Sequence, residues 1–149
     1  MKKIEDFYFA GIVSGLTGGI IHLLYNLLLI SIGVNTSTFW KDLTNVFFAP
    51  PEAFSWAAQL YGVISALGMS VFNGILISLL LKLTGKDYLY IKSITLSMIT
   101  GYFLFMFLYP EADLDYLQHS LITPYVALGG FAIYGITTGF LLKRYTAFE

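Results

Sequence analysis

The side chains whose type and setting could do chemistry in this 149-residue chain are His22, Asn26, Gln59 and Asn73, each lying inside a run of apolar residues. A polar group at membrane depth is costly unless partnered, so it marks either a bond between helices or a functional site. His22 and Asn26 stand one helical turn apart, in register with Ala10, Ser14 and Gly18, so one helix face carries all five. A neutral imidazole has one donor and one acceptor. Bonds to Asn73, Gln59 or a serine would satisfy it as structural glue; otherwise it faces a ligand or a gated path. Gln59 falls near the outer end of its segment and Asn73 near the middle. With Ser14, Thr17, Ser65 and Ser70 they define a candidate polar pocket.

Searches for catalytic machinery find nothing to set beside that pocket. There is no phosphate-cradling glycine loop, no H-E-x-x-H, no G-x-S-x-G and no dinucleotide fingerprint. Cysteine is absent, which excludes disulfides, iron–sulfur clusters and thiolate zinc sites. The second histidine, His119, sits among acidic residues outside the apolar segments, so a bis-histidine haem would need a second subunit. The expectation is therefore no catalytic residue, no metal and no cofactor. A net charge of −1 leaves no basic face for nucleic acid.

The elements that position these residues follow from composition. Hydrophobic residues make up 57% of the chain and charged residues 11%, whereas soluble domains carry about 25% charged residues. A small domain cannot bury so much apolar surface by itself, and a bilayer supplies the missing apolar solvent. Four segments have the roughly 20 apolar residues that a span needs, at about 7–34, 54–83, 91–109 and 122–142. The expected fold is all-α, a single transmembrane domain over 1–149 built as a four-helix bundle.

Basic residues set the orientation. Lys2, Lys3, Lys82, Lys86, Lys92, Lys143 and Arg144 fall at the amino terminus, between spans two and three, or at the carboxyl terminus, and only Lys41 falls on the other side. That asymmetry places both termini in the cytoplasm and the acidic Glu111, Asp113 and Asp115 outside. On the outer side, 38–48 reads as an interfacial amphipathic helix. Phe39, Trp40, Leu43, Val46 and Phe47 form its apolar stripe, and Lys41, Asp42, Thr44 and Asn45 its polar one. Thr36 or Ser37 is suited to cap it, and Glu52 to the first turn of span two.

Small residues recur every fourth position. Gly11, Gly15 and Gly19 mark span one; Gly62, Ala66, Ser70, Gly74 and Ser78 run down span two; Gly135 and Gly139 mark span four. Helices in lipid associate through close backbone contact at such residues, so each ladder is a groove for another helix of this chain or of a partner. A shift of 61 residues superposes positions 66–82 on 127–143 with 8 identities, including Gly74 on Gly135 and Lys82 on Lys143. That pattern points to two hairpins in the same orientation. Spans one and three show no comparable match.

The opening Phe9-Ala10-Gly11-Ile12-Val13-Ser14-Gly15, continuing to Gly18-Gly19-Ile20, and the closing Gly139-Phe140-Leu141-Leu142-Lys143-Arg144 carry a resemblance. Together with chain length and a proline-containing first outer loop, they resemble a group of uncharacterised small four-span membrane proteins of Gram-positive bacteria. The resemblance implies a bacterial cytoplasmic (inner) membrane and no particular activity. Taken together, the residues lead to a non-enzymatic, oligomeric membrane protein for small-solute passage or binding, with the bilayer and further copies of itself as partners. The alternative is an accessory or scaffold subunit that packs against a partner membrane helix through its glycine ladders, and the third reading is an intramembrane enzyme.

Overall fold

Asp6 starts the first helix by accepting hydrogen bonds from the Tyr8 and Phe9 amides at 2.8 and 3.2 Å, satisfying donors that a helix start leaves open. The computed structural model describes residues 6–34, 38–108 and 122–146. Among the described residues lie five α-helices: α1 (Phe7–Ser31), α2 (Phe39–Phe47), α3 (Trp56–Thr84), α4 (Leu89–Leu108) and α5 (Thr123–Tyr145). A short 3₁₀ turn, Glu52–Phe54, precedes α3. Glu52 therefore lies in that turn, and Ser55 caps α3 through the Ala58 amide. The residue before α2 is Thr38, whose side chain makes no capping bond; Thr36 and Ser37 lie outside the described residues. So do the acidic outer residues 111–115 and His119.

Among the described residues, three helices are long and apolar enough to cross a membrane: Phe7–Ser31, Trp56–Thr84 and Pro124–Tyr145. That is one fewer than the four expected. The apolar stretch of the remaining helix, Leu89–Leu104, is shorter. Burial follows the inverted pattern that lipid imposes. Leu24, Leu28, Ile64, Phe72, Phe103 and Phe140 face outward, while Ser14, Asn26, Ser78, Ser97 and Thr138 are buried. Apolar side chains meet a solvent that costs them nothing, and polar ones find partners inside.

The long helices run up and down in the ring order α1, α3, α4, α5. Glycine sets the tightest crossing. A Cβ on Gly11 would stand 2.6 Å from the Ile75 Cα, and one on Gly15 would stand 2.6 Å from the Ser70 carbonyl oxygen. Backbone thus lies on backbone along α1 and α3, and Ser78 Oγ seals the end by donating to the Phe7 carbonyl at 2.7 Å. Gly135 serves α5 in the same way, because a Cβ there would stand 2.7 Å from the Ile94 Cα on α4.

The pairing reveals a correspondence hidden in the sequence. Lys82 on α3 places its ammonium 4.0 Å from the Phe7 ring on α1, and Lys143 on α5 holds the matching position 5.7 Å from the Tyr90 ring on α4. Phe7 and Tyr90 are 83 residues apart, and at that offset Ser14, Thr17 and Gly18 fall on Ser97, Thr100 and Gly101. The α1–α3 and α4–α5 hairpins are therefore built to one plan.

The connecting helix α2 packs against α3 through its middle and leaves part of its apolar stripe outward. Asp42, Leu43 and Thr44 are buried, whereas Phe47 is exposed. Thr44 Oγ1 donates to its own helix at the Trp40 carbonyl, 2.8 Å away, and lies 3.3 Å from the Ala58 carbonyl on α3. Gly62 opens the space for this approach, since a Cβ there would collide with Thr44 Oγ1 and the Trp40 carbonyl. Leu43 and Thr44 belong to different predicted stripes, so the docking face straddles their boundary. With lipid available on one side, an apolar stripe has no need to face protein.

Candidate functional site

Two of the four polar residues singled out by sequence meet across the bundle. His22 of α1 and Asn73 of α3 line one cleft with Ser70, Ser97, Thr100, Phe131 and Tyr134, beneath Phe39 of α2. Its volume is about 30 Å³, and one water needs roughly 10–15 Å³ on this scale. The cleft lies at the seam between α3 and α4, which touch less than any other neighbouring pair in the ring.

Asn73 is the telling member. It is nine-tenths buried, and its Oδ1 has no hydrogen-bond partner among the described residues. His22 is equally buried. Its ring packs edge-on to Phe131 at 5.8 Å between centroids and lies over Gly130, where a Cβ would strike Nε2. Of the partners the sequence offered His22, the Asn73 Oδ1 does not bond it.

Asn26 and Gln59 stand apart from the cleft. The Asn26 Nδ2 donates to the His22 carbonyl at 2.9 Å, one turn back along its own helix. The Gln59 Nε2 donates to the Ala53 carbonyl at 2.8 Å and ties α3 to the preceding turn. Ser14 likewise donates to the Ala10 carbonyl at 2.7 Å.

The glycine and serine ladders settle against neighbours within the chain. Gly11, Gly15 and Gly19 meet α3, Gly62 meets α2, and Gly135 and Gly139 meet α4. Ser70 both belongs to its ladder and lines the cleft, and Ala66 and Ser78 are buried.

Sequence reading missed Ser97, Thr100, Phe131 and Tyr134. Their signals were present. Ser97 and Thr100 repeat the spacing of Ser14 and Thr17, while Phe131 and Tyr134 fall on Ser70 and Asn73 at the 61-residue shift. The two equivalent helices thus turn the same register inward, one with polar side chains and the other with aromatic ones. The arrangement offers hydrogen bonds and ring faces to a small guest. It presents no nucleophile paired with a base, and no group of three or more metal-ligating side chains occurs among the described residues. No protein-family model, curated protein or solved structure matches the chain.

Proposed function

We propose that this chain is a four-span protein of a bacterial cytoplasmic membrane, with both termini inside, that binds a small polar solute and serves its passage. The observation that carries the reading is the buried Asn73 Oδ1, unpartnered beside His22 in a cleft with room for a guest. A buried acceptor left without a bond costs about 1–3 kcal/mol, a loss that a solute or ordered water would recover. Two further facts support the membrane frame. Although α4 is the least apolar in extent, its 20 residues give it a length of about 30 Å, the thickness of the hydrocarbon core. Lys82, Lys86, Lys92, Lys143 and Arg144 gather at one end of the bundle, where the Lys86 Nζ reaches the Thr146 carbonyl at 3.2 Å. That end is the cytoplasmic one by the positive-inside rule. A protomer this small completes a path most readily by assembling with copies of itself.

The accessory reading loses its main argument, because the ladders meant for a partner helix already hold helices of this chain. The test is a thermal-stability panel on the purified protein in detergent, with small polar solutes such as urea, formamide, glycerol and methylammonium. A saturable rise in melting temperature, abolished in Asn73→Leu, is expected. Indifference to every solute would return the accessory role to first place.

A further inference from the structure

The four hydroxyls lining the cleft have all committed their hydrogens elsewhere. Ser70 donates to the Ala66 carbonyl at 2.9 Å, Ser97 to Phe131 at 2.5 Å, Thr100 to Leu96 at 2.8 Å and Tyr134 to Ser70 at 2.6 Å. A hydroxyl has one hydrogen and two lone pairs, so each turns only acceptor capacity toward the cleft. The Asn73 Oδ1 adds an acceptor with no partner, and one nitrogen of a neutral His22 adds another. Side-chain donors among the described lining residues are fewer, limited to the Asn73 amide hydrogens and one imidazole N–H. Among the described residues, no Asp, Glu, Lys or Arg lines the space, while Phe39, Phe131 and Tyr134 contribute aromatic rings. Ring faces attract small cations, most strongly where water is excluded.

Acceptors in excess, aromatic walls and room for about two water-sized atoms describe a guest with several N–H donors on one small centre. We propose that the cleft takes ammonium or methylammonium, a class narrower than the polar solute inferred above and resting on that reading. An alkali cation carries no directional donors and needs an oxygen shell that the three rings interrupt. Tetramethylammonium has no N–H and too much bulk.

The experiment measures the melting temperature of the purified protein in detergent with ammonium, methylammonium, potassium or tetramethylammonium chloride at matched ionic strength, and with urea. A saturable rise of a few degrees with the first two salts alone is the expected result. Asn73→Leu should abolish it, with helicity checked by circular dichroism. Thr100→Val, close in shape and folded by the same criterion, should weaken the apparent affinity several-fold, so a misfolded Asn73 variant leaves the question answerable. An equal response to potassium overturns the ammonium proposal. A response to urea without one to ammonium also overturns it while keeping the polar-solute reading, and silence with every compound overturns both.

Discussion

The Tyr134 hydroxyl donates to the Ser70 backbone carbonyl at 2.6 Å, bonding α5 to α3 across the diagonal of the bundle. Ser70 sits in a regular helix, so its carbonyl already serves that helix and gains a second donor here. Tyr134 is nearly fully buried, and the bond gives its polar end a partner inside an apolar medium.

Tyr134→Phe removes the hydroxyl and keeps the ring. Bonds of this kind in membranes are worth around 0.6–2 kcal/mol. The variant should lose about 1 kcal/mol, measured by reversible unfolding in detergent and urea or by melting temperature. A melt indistinguishable from the parent would show that the bond contributes nothing across the diagonal.

Gly74 and Gly68 lie on the same helix and should respond in opposite ways. A Cβ on Gly74 would stand 2.5 Å from the Gly15 Cα, whereas one on Gly68 would meet nothing within 4 Å. Gly74→Leu forces α1 off α3 and should lower the melting temperature strongly or prevent recovery of folded protein. Gly68→Ala should be neutral or stabilising, by up to about 1 kcal/mol from the better helix propensity of alanine. Similar melts for the two variants would contradict the packing described for α1 and α3.

Topology is open to a direct reading because the chain contains no cysteine. A cysteine introduced at Asp113 should react with an impermeant reagent added to intact cells, and one at Lys86 should react only after lysis. Both residues flank α4, so labelling of both from one side would mean that α4 does not cross the bilayer. Labelling of Lys86→Cys alone would reverse the orientation.

The long helices were legible in the sequence, because apolar runs of span length are a local signal. Half of the pocket was legible as well, since a lone histidine and asparagine inside apolar segments stand out by type. Gln59 and Asn26 were misplaced for a common reason. A short amide near its own backbone finds a carbonyl locally, and no sequence pattern ranks that against a partner across the bundle. The α2 docking face was not legible, because stripes separate apolar from polar residues, whereas Leu43 and Thr44, one from each stripe, are buried side by side. The kinship of α1 and α4 stayed hidden behind unequal connections. The two first helices are offset by 83 residues and the two second helices by 61, so no single shift displays both.

The contact of α1 with α3 has one more consequence. Backbone pressed on backbone has no rotamers to change, so these two helices behave as a fixed block. Where α4 meets α5 at the cleft, the contact is different in kind. Gly101 admits the ring of Phe131, and side chains can turn. At the basic end, the Lys92 Nζ holds the Thr84 and Gly85 carbonyls, each at 3.0 Å, and so pins the start of α4 to the end of α3. On the proposed reading, the side from which a guest reaches the cleft is therefore the far end, beneath Phe39.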